Sequence, residues 1–140
     1  MAMVPATILS AAVTILAVIF MIYCMFNVGR MRGKHSIKAP ETTGPVEFES
    51  AVRVQANTIE QALMFLPLLW IATIYFRTLG WLPPLFGLVW VIGRIVYLQG
   101  YMTAPEKRST GFTITALATV GLLVLSIIGI VQAWLALHAM

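Results

Sequence analysis

The 140-residue chain is poor in charged residues. Lys, Arg, Asp and Glu together make up 10% of it, against about 25% in soluble proteins, whereas hydrophobic residues make up 60%, against about 45–50%. These values exclude an ordinary soluble globular fold. The net charge of +4 comes from Lys and Arg residues that flank apolar segments, so we predict no nucleic-acid partner.

Cysteines and metal ligands are also scarce. Cys24 is the only cysteine, which excludes a disulfide within the chain. His35 and His138 lie far apart in the sequence, and neither has a second ligand at a metal-binding spacing. We therefore predict no metal site.

Long hydrophobic runs are what the chain does contain. Four of them approach or extend to the roughly 20 residues that a bilayer-spanning helix requires. We predict a single domain over residues 1–140, an all-α integral membrane protein built as a four-transmembrane-helix bundle. The first run lacks a basic N-terminal region and is longer than a signal-peptide core, so we treat it as a span. The predicted helices cover about residues 4–29, 47–76, 82–103 and 107–137.

The distribution of Lys and Arg predicts the orientation of this multi-pass protein. The first and third loops are basic, whereas the second loop contains only Arg77. Because basic loops stay in the cytoplasm, we expect both termini outside, in a bacterial inner membrane. The basic residues assigned to the first and third loops are Arg30, Arg32, Lys34, Lys38, Lys107 and Arg108.

A polar stripe opens the second predicted span. Glu49, Arg53, Asn57 and Glu60 lie at offsets that place them within roughly 80° of arc on one helix. Charged groups within a span usually face a protein interior or a wet cavity, so the stripe is a candidate site. Two structural alternatives remain open, an ion pair between Glu49 and Arg53 and a hydrogen bond between Glu60 and Arg94.

A second polar group lies on the third span. Arg94, Tyr97 and Tyr101 fall within roughly 60° of one helix face, and Arg108 follows near the start of the fourth span. Together with the polar stripe and Arg32, they would meet at one membrane surface. Such a pocket suits a small polar ligand that bears carboxylates. The alternative for the tyrosines is an interfacial aromatic belt.

Three separated stretches resemble one protein family. They read TTGPVEFESAVRVQANTIEQ over residues 42–61, RIVYLQGY over residues 94–101, and an arginine at position 108. In this order, and with four predicted spans, the chain resembles the MAPEG superfamily, the membrane-associated proteins in eicosanoid and glutathione metabolism. Within that superfamily, the chain most resembles the microsomal glutathione transferases and leukotriene C4 synthases.

The resemblance implies a homotrimer that binds glutathione as cosubstrate between neighbouring subunits, near the cytoplasmic face. It implies that Arg108 stabilises the glutathione thiolate, which attacks hydrophobic electrophiles. The implied function is a membrane glutathione transferase, with lipid hydroperoxide reduction as a related activity. The alternatives are a non-catalytic scaffold that binds lipid or glutathione and, less favoured, a small multidrug transporter. The implied glutathione-binding residues are Arg32, Arg53, Gln55, Asn57, Glu60, Arg94, Tyr97 and Tyr101.

Three positions depart from the family pattern. Gln61 and Val120 stand where leukotriene C4 synthase-like members place aromatic residues, and Gly33 stands where a second arginine is expected. The pocket for the electrophile is therefore expected to differ. We predict general conjugation of hydrophobic electrophiles rather than specificity for leukotriene A4.

Overall fold

The computed structural model describes residues 5–139 and is all-helical. Its four α-helices are each long and apolar enough to cross a membrane, which confirms the predicted class of multi-pass, all-α membrane protein. Residue 4, where the first predicted helix begins, lies outside the described residues. The elements are α1 (Ala6–His35), α2 (Val46–Tyr75), α3 (Leu82–Thr103), a short 3-10 turn (Pro105–Arg108) and α4 (Ser109–His138).

Helix α1 continues to His35, past the predicted end at residue 29. Arg30, Arg32 and Lys34 therefore lie on the last turns of α1 and not in the loop where they were predicted. Basic side chains stabilise this extension because they interact favourably with the negative end of the helix dipole. Ser36 caps the end of the helix in a left-handed conformation with φ 54°. The backbone N–H of the next residue, Ile37, donates to the carbonyl of Arg32.

The connection between α1 and α2 is held by polar contacts. Lys34 Nζ and His35 Nε2 lie 2.7 and 3.1 Å from Glu47 Oε2, which joins the end of α1 to the start of α2. In the loop, the Thr43 hydroxyl and the backbone N–H groups of Thr43 and Thr42 donate to Glu41 and hold the pKa of its carboxyl below the usual value. The loop is thus ordered by its own side chains.

Helix α2 contacts the other three α-helices and carries much of the core. The ring of Phe65 stacks on Trp90 of α3 with centroids 4.1 Å apart, and Leu69 is fully buried nearby. Hydroxyl groups add interhelical hydrogen bonds, since Ser10 and Thr73 lie 2.7 Å apart. Because lipid gives little hydrophobic drive for helices to associate, such packing and polar contacts hold the bundle together.

Helices α3 and α4 approach closely at glycines. A Cβ added at Gly93 would lie 2.8 Å from side-chain atoms of Ile114 and Thr115, and one at Gly111 would overlap the backbone of Tyr97. Small residues permit such approach in membrane bundles. The start of α4 is therefore fixed against the middle of α3.

Gly111→Ala tests this seam. Because the added methyl would meet backbone that cannot rotate away, we expect a loss of about 1–3 kcal/mol in stability and a lower melting temperature in mild detergent. The control is Gly29→Ala, a helical position with no neighbouring atom within 4 Å of the new Cβ. It should be neutral or stabilising by about 0.5–1 kcal/mol. Equal melting temperatures for the two variants would contradict the close packing of α3 on α4.

Candidate functional site

Tyr97 on α3 is the centre of the candidate site. Its ring lies 4.1 Å from Arg94 Cζ, measured to the ring centroid, and 5.5 Å from the ring of Tyr101 in an edge-to-face arrangement. The ring of Tyr101 lies in turn beside the guanidinium of Arg108. The tyrosine pair thus joins two of the four arginines that were predicted to meet at one surface, Arg94 and Arg108.

Arg94 connects the centre to α2 and is fully buried. Its Nη1 donates to Asn57 Oδ1 at 3.1 Å, and its Nη2 donates to Thr58 Oγ1 at 2.8 Å. Its Nε has no hydrogen-bond partner among the described residues. The guanidinium therefore clamps α3 to α2 and orients the amide of Asn57, and within one subunit it has no open approach for a ligand.

Arg108 lies at the accessible edge of the site. Its Nη1 donates to the carbonyl of Pro105 at 2.9 Å, and its Cζ lies 5.7 Å from the centroid of the Tyr101 ring. The side chain is exposed and borders an open cavity of about 540 Å³. The cavity is lined by Glu106, Arg108, Ser109, Phe112 and Thr113. A cation, a carboxylate, two hydroxyls and an aromatic ring therefore share one groove at the start of α4.

The polar stripe lies on the outer face of α2. Neither of the two structural pairs left open by the sequence, Glu49 with Arg53 and Glu60 with Arg94, is formed among the described residues. Glu49 accepts a hydrogen bond from the Gly44 N–H at 2.9 Å, and no ion pair joins it to Arg53 within residues 5–139. The alternative pair between Glu60 and Arg94 is wrong, because Arg94 uses Asn57 and Thr58 instead. Arg53 and Glu60 are exposed on the subunit. Their charged groups are thus available to an external partner.

Two predicted residues lie away from the Tyr97 centre. Arg32 Nη1 donates to the carbonyl of Glu41 at 2.7 Å, and its Cζ sits 5.1 Å from the Phe48 ring centroid, so its contacts hold the first loop. Gln55 lines a groove between α1 and α2 beside Cys24. Since Gln55 follows Arg53 by two residues, the two side chains leave the helix roughly 160° apart. One subunit does not present both to the same ligand.

Val120 lies in a second groove, between α2 and α4. The groove has a volume of about 480 Å³ and continues the outer face of α2 beyond Glu60 into apolar surface. It is lined by Leu63, Met64, Pro67, Leu68, Thr119, Val120 and Leu123. Val120 is exposed at this groove.

Thr58 is the member of the site that sequence reasoning missed. Its hydroxyl bonds both to Arg94 and to the Val54 carbonyl. The available signal was a hydroxyl residue on the buried face of α2, adjacent to Asn57. A single hydroxyl in a span usually bonds its own helix backbone, so the sequence did not distinguish it as a partner of Arg94. The described residues contain no cluster of potential metal ligands.

Comparison with known proteins identifies relatives of this chain. The sequence profile of the MAPEG family matches residues 10–128. An uncharacterized protein of Synechocystis is 41% identical over 120 residues, covering 86% of both chains. Microsomal glutathione S-transferase 2 of Mus musculus is 38% identical over 91% of this chain and 85% of its own. Leukotriene C4 synthase of Cavia porcellus is 37% identical over 82% of this chain and 81% of its own. The chain belongs to the MAPEG family.

Thr58→Val tests the clamp formed by Arg94. The substitution keeps the side-chain shape but removes the oxygen that accepts from Arg94 Nη2, which leaves a buried N–H without a partner. We expect a loss of about 1–3 kcal/mol in stability, measured by unfolding in mild detergent. Thr113→Val is the matched control, because that hydroxyl is exposed and bonds only the Ser109 carbonyl. A Thr58 variant as stable as the Thr113 variant would show that the Arg94 clamp is dispensable.

Proposed function

We propose that this member of the MAPEG family is a membrane glutathione transferase, which joins the sulfur of glutathione to hydrophobic electrophiles. The observation that carries the proposal is the row of contacts from Arg94 through Tyr97 and Tyr101 to Arg108, with Arg108 at the edge of an open groove. A site so rich in cations suits an anionic cosubstrate. The similarity to microsomal glutathione S-transferase 2 supports glutathione as that cosubstrate.

The charges of glutathione match the groups that α2 leaves exposed. Glutathione carries two carboxylates and one ammonium group. Arg53 would bind a carboxylate with its planar fork, and Glu60 would pair with the ammonium. Asn57 has its side-chain oxygen held by Arg94, so its amide NH2 remains available as a donor. Arg94 thus acts through Asn57 and Tyr97 as a positioning residue.

Arg108 would stabilise the reacting form of the sulfur. The thiolate is the nucleophile, and a thiol with an ordinary pKa near 8.5 is only a few per cent ionised at neutral pH. Lowering that pKa by about two units requires about 2.7 kcal/mol of preferential stabilisation of the thiolate. A guanidinium is suited to this task because it stays protonated at any physiological pH.

The reaction needs no group beyond the thiolate and the electrophile. With an aromatic chloride, the thiolate attacks the ring carbon, a carbon–sulfur bond forms and chloride leaves, while the thiol proton goes to water. Phe112 lies within the Arg108 groove and offers an apolar surface to such a ring. The same thiolate would support reduction of a lipid hydroperoxide, in which two glutathione molecules yield an alcohol, water and glutathione disulfide.

Assembly into a homotrimer would complete the site. The charged stripe on the outer face of α2 is exposed in the subunit, and charged groups within a span are strongly disfavoured against lipid. A neighbouring copy that covers this face would also bring its own Gln55 from the α1 side. Basic residues lie at the C-terminal end of α1 and in the 3-10 turn before α4. They favour a cytoplasmic location for the site in a bacterial inner membrane, with both termini outside.

Arg108→Ala is the first test, with glutathione-induced thermal stabilisation and conjugation of an aromatic chloride measured side by side. Wild type should be stabilised by glutathione and should turn over. In the variant, glutathione binding should largely survive while turnover at neutral pH falls by about one to two orders of magnitude, because the thiol returns to its ordinary pKa. The rate should then rise with pH near 8.5 and at a distinctly lower pH in wild type.

Lys107→Ala is the matched control, since it removes a neighbouring exposed cation outside the groove. It should leave the pH profile unchanged. A wild-type profile in Arg108→Ala would overturn the assignment of the thiolate. Stabilisation of wild type by glutathione, without turnover of any hydrophobic electrophile, would instead favour the alternative of a binding scaffold.

A mixed-subunit experiment tests the shared site. Arg53→Ala and Gln55→Ala should each weaken glutathione binding alone, because each removes one polar contact. If the two residues serve one site from different subunits, trimers that contain both variant chains include sites with both residues intact. Co-expression with two affinity tags should therefore restore part of the activity. Mixed assemblies with no more activity than either variant alone would refute sharing between subunits.

A further inference from the structure

A cleft lies at the end of the bundle opposite the candidate site. It has a volume of about 400 Å³ and opens between the end of α2 and the last turns of α4. That volume is within the range of small-molecule sites, about 300–1,000 Å³. Its lining residues are Ile74, Tyr75, Arg77, Gln132, Ala133, Ala136 and Leu137.

The cleft follows from how the two helices part. At Gly129, α4 is so close to α2 that an added Cβ would lie 2.6 Å from the backbone nitrogen of Phe76. The chain then leaves the α2 direction at Phe76, which is extended, whereas α4 continues to His138. At about 1.5 Å per residue, α4 projects roughly 13 Å past the contact. The side chains of Ala133 and Ala136 are too small to fill the gap.

The walls of the cleft are apolar, and its rim is polar. Gln132 Nε2 donates to Thr78 Oγ1 at 2.9 Å, which ties α4 to the turn that follows α2. Exposed aromatic residues stand at the same level, namely Tyr75, Trp81 and Trp134. Exposed tyrosine and tryptophan at both ends of spans mark the membrane–water interface. The rim therefore lies at the depth of lipid headgroups, and the apolar walls lie beside acyl chains.

Arg77 is the cation on this rim. Within residues 5–139, it makes no hydrogen bond or ion pair. All five acidic side chains lie toward the opposite end, in the first loop, the first half of α2 and the 3-10 turn. Even Glu60 is roughly 22 Å along α2 from its end at Tyr75. A parallel neighbouring copy would have the same distribution and would offer no acidic side chain either.

We propose that this cleft binds an anionic glycerophospholipid of the adjacent leaflet. Arg77 binds the phosphate through two parallel hydrogen bonds, as guanidinium groups do with phosphate oxygens. The Tyr75 hydroxyl and the Gln132 amide border the same headgroup position. One acyl chain lies along Ile74, Ala133 and Leu137. The site is separate from the glutathione site and does not depend on the proposed function.

The test measures lipid binding by the purified protein in mild detergent, by native mass spectrometry and by thermal stabilisation. The probes are dioleoylphosphatidylglycerol, dioleoylphosphatidylcholine and inorganic phosphate. Wild type should prefer phosphatidylglycerol, and Arg77→Gln should bind it at least about tenfold more weakly. Ala136→Phe should also reduce binding, because it fills the cleft while leaving Arg77 in place.

Arg30→Gln is the matched control, because it removes an exposed arginine at the other end of the bundle. It should retain the preference for phosphatidylglycerol, and glutathione binding should be unchanged in all three variants. The proposal is overturned if wild type binds the two lipids equally, or if Arg30→Gln loses the preference as fully as Arg77→Gln does. Stabilisation by inorganic phosphate equal to that by phosphatidylglycerol, or full lipid binding by Ala136→Phe, would overturn it as well.

Discussion

A guanidinium that is fully buried inside a membrane-spanning bundle holds the candidate site in one arrangement. Arg94 bonds to Asn57 and Thr58 of α2 and stacks on Tyr97 of its own helix. Losing either acceptor is unfavourable, because a buried N–H group of a charged side chain is then left without a hydrogen-bond partner in a medium of low dielectric constant. The relative position of α2 and α3 is therefore restricted to the arrangement in which both acceptors face Arg94. The polar stripe of α2 is thereby oriented relative to the Tyr97 centre.

The same constraint extends to α4 through backbone packing. Gly111 lies against the backbone of Tyr97, and Gly100 lies against the carbonyl of Lys107, so the 3-10 turn is closely packed on the end of α3. Arg108 lies three residues before Gly111 in the sequence. Its position beside Tyr101 thus depends on two glycines that touch no ligand. Close backbone packing at these glycines fixes the position of α4 relative to α3, just as the buried guanidinium of Arg94 fixes the position of α2.

The length of the apolar runs predicted the four helices, because a span needs a long apolar run whatever its tertiary contacts. The third helix was predicted over residues 82–103 and spans Leu82–Thr103. The end of α1 was predicted too early, since its last turns are polar and are stabilised by charge and capping. In the site, helical spacing placed Arg94 and Tyr97 on one face. It gave no information on which side chain of another helix Arg94 meets, so Glu60 was considered and Thr58 was not.

The small size of the chain explains why its candidate site lies on an outer surface. Inside the bundle, Arg94 already uses two of its N–H groups on Asn57 and Thr58. Groups intended for a ligand must then project outward, as Arg53, Glu60 and Arg108 do. In a bilayer such a surface is tolerated when something polar covers it, which the proposed second copy and the proposed anionic ligand would provide together. Assembly and ligand binding would thus both cover the charged stripe of α2 with polar groups, and we expect each to strengthen the other.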